Sequence, residues 1–205
     1  MNNLSKRILS TVILFPLVLY FIIMGSFYLK FLIAICFFTA SYEWYKIVKK
    51  KLYKLIGFIF LFFSFYTFYE LSIEYIALIP LFICIATDIG GYVFGKIFKG
   101  PKLTKISPNK TYAGMIGSYI FSLIFISFYF NYTNYEVTIE WIFLIIFISS
   151  ISQIGDIIIS YFKRLSKLKN TGNFIPGHGG LLDRIDGMIF ALPTFYLINL
   201  TSFVS

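Results

Sequence analysis

Long apolar runs, interrupted by short polar stretches, make up most of this chain. The runs cover residues 8–27, 30–47, 52–69, 73–94, 113–131, 138–159 and 185–203. Each is close to the roughly 20 residues that an α-helix needs to cross a hydrocarbon core of ~30 Å. The runs are continuously apolar rather than alternating, which favours helices over the strands of a membrane barrel. The pattern predicts an all-α integral membrane protein with about seven transmembrane helices.

Composition supports a single polytopic membrane domain over residues 1–205. The hydrophobic fraction is 59% and only 13% of residues are charged, whereas a soluble domain has about 45–50% apolar and about 25% charged residues. Cys36 and Cys84 lie inside apolar runs, so we expect packing residues rather than a disulfide. The first run follows Lys6 and Arg7 and lacks a small-residue cleavage pattern, which predicts an uncleaved signal anchor.

The basic residues predict the orientation in the membrane. All of them except Lys30 lie before the first run or around the ends of the second, fourth and sixth runs, and with seven helices these positions share one side. The residues are Lys6, Arg7, Lys46, Lys49, Lys50, Lys51, Lys54, Lys96, Lys99, Lys102, Lys105, Lys110, Lys163, Arg164, Lys167, Lys169 and Arg184. The positive-inside rule makes that side cytoplasmic, which places the N-terminus inside and the C-terminus outside a multi-pass protein of the cell (inner) membrane. The net charge of +9 would also attract anionic membrane lipid, and no separate basic domain indicates nucleic-acid binding.

Five acids lie near the predicted cytoplasmic ends of the helices. They are Glu43, Asp88, Asp156, Asp183 and Asp186. A carboxylate inside a membrane helix costs several kcal/mol and usually marks a functional site or has a fixed partner. Each acid could simply pair with a nearby lysine or arginine. For the four aspartates taken together, a convergent cluster is the favoured interpretation.

The end of the sixth run carries a polar stripe. Asp156, Ser160 and Lys163 are spaced i, i+4 and i+7, so they share a helical face, and Arg164 borders it. An acid beside two cations can hold a metal ion and an anion at once. The helix is expected to continue past the membrane surface, into an active-site loop at about 160–184.

A glycine-rich segment and two aspartates follow this stripe. Glycines such as Gly179 and Gly180 let backbone N–H groups approach phosphate oxygens, although an ordinary loop would look the same. Asp183 and Asp186 are three apart and so share a face. They predict a Mg²⁺ site, with stabilisation of a helix N-terminus as the structural alternative.

Two further residues of this segment could bind phosphate. Arg184 lies between the two aspartates and could clamp a phosphate with two hydrogen bonds. His178 is the chain's only histidine. A phosphate-binding role is favoured for it over proton transfer, because phosphoryl-type reactions depend mainly on positioning and charge neutralisation.

The polar stretch 88–114 forms a second candidate loop, at about 95–112. It opens with Asp88 and ends with Ser107, Lys110 and Thr111. Lysines with glycines and hydroxyls could cradle a polyphosphate or a lipid headgroup. The P-loop pattern is absent.

These residues resemble the signature of the phosphatidate cytidylyltransferase family, also called CDP-diglyceride synthetases. The matching positions are Ser160, Lys163, Arg164, Lys169, Gly172, Pro176, His178, Gly179, Gly180, Asp183, Arg184 and Asp186. Weaker support comes from Gln153, Gly155, Asp156, Asp88, Tyr92, Gly95, Ser107, Pro108, Lys110, Thr111, Gly114 and the pair Glu43-Trp44. Two positions depart from the family pattern, since Asn170 replaces an aspartate and Ala113 a glutamate.

The resemblance implies that the protein joins CTP and phosphatidate into CDP-diacylglycerol and pyrophosphate, with Mg²⁺ as cofactor, a second metal ion as an option, and a homodimer as the expected assembly. The implied catalytic residues are Asp183, Asp186, Lys163, Arg164 and His178. The implied substrate-binding residues are Ser160, Arg184, Gly179, Gly180, Ser107, Lys110 and Thr111. The implied metal ligands are Asp156, Asp183, Asp186 and Asp88.

Other functions stay open at the level of sequence. A CTP-dependent lipid kinase, or an enzyme that forms a CDP-lipid from another acceptor, would need the same types of residue. A transporter or lipid-binding scaffold could use the acids for ions. CDP-alcohol phosphotransferases are disfavoured because their DGxxAR…GxxxDxxxD pattern is missing.

Overall fold

The computed structural model describes residues 20, 21, 24, 26–172, 174 and 179–201. These residues form seven helices, and no β-strand occurs among them. The helices are α1 (Ser26–Ile47), α2 (Lys51–Ile73), α3 (Leu78–Phe98), α4 (Tyr112–Thr133), α5 (Ile139–Leu165), α6 (Leu182–Ile185) and α7 (Met188–Leu200). The all-α prediction is therefore confirmed for the described part of the chain.

Four of these helices are long and apolar enough to cross a membrane, namely α2, α3, α4 and α5. α7 is apolar but shorter, and α1 is not among the four. Most of the first predicted run, 8–27, lies outside the described residues. These four helices are consistent with a membrane protein, whereas the count of seven spans and their orientation stay predictions.

Some helix boundaries differ from the sequence prediction. α2 continues to Ile73, and the next helix begins only at Leu78 rather than at residue 73. α5 extends to Leu165, which confirms that this helix continues beyond residue 159 and that Asp156, Ser160 and Lys163 share a helical face.

The last predicted run, 185–203, was expected to be one helix and is two. Asp183 belongs to α6, which has only four residues, and α7 starts at Met188. A two-residue turn, Asp186-Gly187, separates them. A Cβ atom at Gly187 would collide with the hydroxyl of Ser152, so only glycine lets the chain pass that close to α5.

The described residues divide into two compact units. The first unit takes its residues from the chain up to Ile76 and from Tyr161–Asp186, and the second takes them from Ala77–Ser160 and from Gly187 onward. The expectation of a single membrane domain stays a prediction.

Trp44 organises the core of the first unit. It is buried, its indole Nε1 donates a hydrogen bond to the carbonyl of Tyr53 at 3.2 Å, and its ring meets that of Phe162 edge-on at 4.8 Å. A Cβ atom at Gly57 would overlap the indole ring. The C-terminal part of α1 is therefore packed tightly against α2 at Trp44.

Small residues and hydroxyls hold the second unit together. A Cβ atom at Gly90 would lie 2.6 Å from the carbonyl oxygen of Gly117, so α3 and α4 approach closely. Thr87 donates to the hydroxyl of Ser149 at 2.7 Å, and Ser118 donates to the carbonyl of Thr87 at 2.7 Å. Close contacts and interhelical hydrogen bonds of this kind are the usual means of helix association in lipid. They anchor the part of α5 that precedes Asp156.

Candidate active site

Asp183 is the centre of a polar cluster in the first unit. Its Oδ1 accepts a hydrogen bond from Lys163 Nζ at 2.8 Å. Its Oδ2 accepts from the backbone N–H of Thr171 at 2.8 Å and of Gly180 at 3.1 Å. The side chains of Lys163 and Asp183 are each only 9% exposed. The pair is therefore a buried, charge-assisted contact whose carboxylate is well supplied with donors.

Glu43 belongs to the same cluster. It is buried, with 3% of its surface exposed. Its Oε1 accepts from the backbone N–H of Leu181 at 3.0 Å, and its Oε2 accepts from the N–H of Leu182 at 2.8 Å and the hydroxyl of Thr171 at 2.8 Å. These backbone groups lie at the start of α6, where N–H groups have no intrahelical partner. We call Glu43, Lys163, Thr171, Gly180 and Asp183 the Glu43–Asp183 cluster.

Glycines let both carboxylates approach the backbone of residues 166–181, which we call the signature loop. A Cβ atom at Gly180 would lie 2.5 Å from Glu43 Oε2, and one at Gly172 would lie 2.7 Å from Glu43 Oε1. Gly179 has a φ of +90°, which L side chains rarely adopt. The N–H of Gly180 donates to Asp183. The substrate-binding role of Gly179 and Gly180 stays a prediction.

The C-terminal end of α5 presents Lys163 to this cluster. Lys167 adopts a left-handed φ of 57°, and the N–H of Leu168 donates to the carbonyl of Lys163 at 2.9 Å. Together with the bond from the N–H of Lys167 to the carbonyl of Arg164 at 3.0 Å, this is a Schellman ending. The exposed Arg164 donates to the carbonyl of Leu168 at 3.1 Å, so it secures the same end.

A second cluster lies in the second unit, around Lys110 and Asp156. Lys110 Nζ is 2.5 Å from Asp156 Oδ2 and donates to the carbonyl of Gln153 at 3.3 Å. Ser160 donates to Asp156 Oδ1 at 3.2 Å. The Lys110 and Asp156 side chains are 23% and 29% exposed. We call Lys110, Gln153, Asp156 and Ser160 the Lys110–Asp156 cluster.

Gln153 adds a buried donor to this cluster. Its side-chain Nε2 is buried and has no hydrogen-bond partner among the described residues. Buried polar atoms of native proteins are nearly always paired, so an unpaired one requires a specific explanation. A bound ligand would be one.

The loop 99–111 holds Lys110 through its own backbone. Ser107 accepts a hydrogen bond from the N–H of Lys110 at 3.0 Å through its carbonyl, and its N–H donates to Thr104 Oγ1 at 3.1 Å. Thr111 is the N-cap of α4, since its side-chain oxygen accepts from the N–H of Gly114 at 3.1 Å. Ser107 and Thr111 thus have clear structural roles, and their contact with substrate stays a prediction.

The remaining predicted residues are distributed as follows. Asp88 is exposed on α3 in the second unit, and Arg184 is exposed on α6 in the first. Asp186 ends α6 and is half-buried. His178 lies outside the described residues. Within the described ranges, no group of three or more His, Cys, Asp or Glu side chains is arranged to hold a metal ion. The four-aspartate metal site stays a prediction.

Comparison with known proteins decides the family. The model of the Cytidylyltransferase family matches residues 52–202. The chain belongs to this family. A phosphatidate cytidylyltransferase from Rickettsia typhi is 34% identical over 212 residues, covering 97% of this chain and 93% of the relative. A protein of the same name from Rickettsia bellii is 37% identical over 214 residues, covering 97% and 91%. One from Staphylococcus saprophyticus is 37% identical over 146 residues, covering 70% of this chain and 54% of the relative.

The importance of two residues, Glu43 and Thr171, is visible only in the structure. From the sequence, Glu43 is one of five acids near helix ends and has no assigned role, and Thr171 is not distinguished from other polar residues. The position of Glu43 inside an apolar run does indicate a functional or paired residue. No local pattern marked Thr171, because its partners lie 12 and 128 residues away in sequence.

Proposed function

We propose that this protein transfers the cytidylyl group of CTP to phosphatidate and releases pyrophosphate, forming CDP-diacylglycerol for phospholipid synthesis. The observation that carries the proposal is its relation, over 97% of its length, to a protein named phosphatidate cytidylyltransferase. The two polar clusters contain the types of residue that this chemistry needs.

The reaction brings two anions together. A phosphate oxygen of phosphatidate attacks the α-phosphorus of CTP, and a new P–O bond forms. The bond from the α-phosphorus to the oxygen that bridges to the β-phosphate breaks, and pyrophosphate leaves with that electron pair. Catalysis of such a step rests on positioning and on charges held ready for the transition state.

The lysines of the clusters would supply positive charge. Lys163 and Lys110 are each fixed by a carboxylate, at 2.8 Å and 2.5 Å. A fixed ammonium group can bind phosphate without first losing side-chain freedom. We propose that both lysines bind phosphate oxygens, that Arg164 and Arg184 assist, and that Ser160 and the free amide nitrogen of Gln153 donate hydrogen bonds to substrate.

The family resemblance implies a magnesium ion, and carboxylates are the type of side chain that binds it. Mg²⁺ takes oxygen ligands and commonly uses one or two carboxylates together with substrate phosphates. Asp156 and Asp183 each form an ion pair with a lysine. Their carboxylate oxygens therefore already lie beside a positive charge. We propose Asp183 and Asp186 as candidate ligands in the first unit, and Asp156 and Asp88 as candidate ligands in the second. A bound Mg²⁺ would neutralise phosphate charge.

Labelled CTP tests the reaction type. The purified protein is incubated with phosphatidate micelles and CTP that carries label on either the α- or the γ-phosphorus. We expect α-label in the lipid and γ-label in released pyrophosphate. The opposite distribution, with γ-label in the lipid and CDP in solution, would identify a CTP-dependent lipid kinase.

A further inference from the structure

We propose that Glu43 is a positioning residue, which acts through Thr171 and the start of α6 to hold Asp183 opposite Lys163. The inference rests on the proposed function, since it assigns Glu43 a part in that same reaction. Glu43 is distant in sequence from all of its partners, at separations of 128, 138 and 139 residues.

Glu43 is placed on a rigid support. It precedes Trp44 in α1, and the Trp44 ring contacts α2 at Tyr53 and Gly57 and α5 at Phe162. Its carboxylate is turned entirely toward the signature loop and α6, where it receives bonds from Thr171, Leu181 and Leu182. A buried carboxylate is costly unless its lone pairs are filled. Here the donors that fill them are all in the segment that carries Asp183.

α6 cannot hold its position unaided. It has four residues, and so short a helix is unstable by itself because helix nucleation is unfavourable. The N–H groups of Leu181 and Leu182, at the start of α6, donate to Glu43 of α1 and not to a capping side chain from the described part of residues 166–181. The location of Asp183 in the next position therefore depends on Glu43.

Thr171 links the two carboxylates. Its hydroxyl oxygen is 2.8 Å from Glu43 Oε2 and 3.1 Å from Asp183 Oδ2. A hydroxyl carries one proton and donates it to one acceptor at a time, and Glu43 is the nearer acceptor. The backbone N–H of Thr171 meanwhile donates to Asp183 at 2.8 Å. Thr171 thus connects Asp183 to Glu43 in α1 through hydrogen bonds.

The experiment compares four substitutions with wild type. Thr171→Val removes the linking hydroxyl, and Thr171→Ser retains it. Thr67→Val is the control, because Thr67 is a buried threonine of the same unit whose hydroxyl donates within its own helix, to the carbonyl of Ser64 at 2.8 Å. Glu43→Gln keeps the size of the side chain but places an amide NH₂ against N–H donors.

We expect Thr171→Val and Glu43→Gln to lower kcat by about 10- to 100-fold, since misplacement of a reacting group by about 1 Å can cost about 100-fold. The KM for CTP should change less than kcat. Thr171→Ser should recover most of the loss, and Thr67→Val should resemble wild type. Equal losses in Thr67→Val and Thr171→Val, or no rescue by serine, would overturn the proposal.

Hydrogen–deuterium exchange gives a readout that is independent of activity. In Glu43→Gln, the amides of Leu181 and Leu182 should exchange faster than in wild type, while amides within α2 keep their protection. Unchanged exchange at Leu181 and Leu182 would overturn the positioning role. If exchange changes as expected but wild type forms no CDP-lipid, the positioning is supported and the proposed function alone fails.

Discussion

Lys163 and Asp183 form a buried ion pair, in which each side chain is 9% exposed. Burying two charges carries a large desolvation cost, which their attraction and further hydrogen bonds must offset. Asp183 has such bonds from Thr171 and Gly180. A buried ion pair of this kind contributes little net stability, which agrees with a functional role for both groups.

Removal of either partner leaves an uncompensated charge. Asp183→Asn and Lys163→Met should each destabilise the protein by about 3–5 kcal/mol and abolish lipid labelling. The double variant should be less destabilised than the sum of the two. Thermal unfolding in detergent measures the stability, with the exposed Lys49→Met as the control. Strict additivity would show that the two side chains do not interact.

Lys110 should behave differently, because its pair with Asp156 is partly exposed. Exposed ion pairs contribute at most about 1 kcal/mol to stability, so Lys110→Ala should leave the melting temperature nearly unchanged. Loss of one charge-assisted bond to phosphate should raise the KM for CTP about tenfold or more. Lys105→Ala, an exposed lysine of the same loop, is the matched control. If the two variants have the same KM, Lys110 does not bind the nucleotide.

Residue-level predictions succeeded where spacing along one helix was enough. Asp156, Ser160 and Lys163 lie on one face because the helical period places them there. The partners of these residues could not be predicted. Lys163 pairs with an aspartate 20 residues away, and the Glu43–Thr171 contact joins positions 128 apart, which only tertiary structure brings together.

At the scale of the helices, substitution of Thr111 at the N-terminus of α4 distinguishes a structural role of this residue from a contact with substrate. Thr111→Ala should remove the N-cap bond to Gly114 and cost about 1 kcal/mol of stability, while Thr111→Ser should keep it. Thermal unfolding and exchange of the Gly114 amide measure the effect. A variant that melts like wild type but has lost turnover would indicate that Thr111 serves the substrate rather than the helix.

The apolar runs predict the positions of the described helices, and the differences between prediction and structure lie at the helix ends. The run 185–203 gives no signal for the turn at Asp186-Gly187, because the start of α6 is set by Glu43 and the close approach at Gly187 is set by Ser152. Both causes are contacts with distant residues. The C-terminal end of α5 is also not predicted by the sequence. Lys167 adopts the left-handed conformation there, a position where glycine is usual.

For the whole molecule, the charge pattern predicts that the loops 99–111 and 166–181 face the cytoplasm. Single cysteines at exposed positions test this in a chain whose own Cys36 and Cys84 are replaced by alanine. In intact cells, Lys105→Cys and Lys167→Cys should resist a membrane-impermeant maleimide, and Glu136→Cys should react. Labelling of the first two without permeabilisation would reverse the proposed orientation.

Hydropathy and the signature residues were sufficient for the membrane class and the family, because both depend on local composition and on spaced motifs. The division into two compact units could not be predicted. It follows from which helices pack together, and seven apolar runs of similar length do not encode that in their periodicity.

Transfer of label from α-labelled CTP to phosphatidate tests the central claim most directly. Wild type, Asp186→Asn and the control Thr67→Val are compared with Mg²⁺ and with the metal removed by chelator. The account predicts lipid-bound label for wild type and Thr67→Val only when Mg²⁺ is present, and none for Asp186→Asn. A well-folded wild-type preparation that transfers no label to phosphatidate would contradict it.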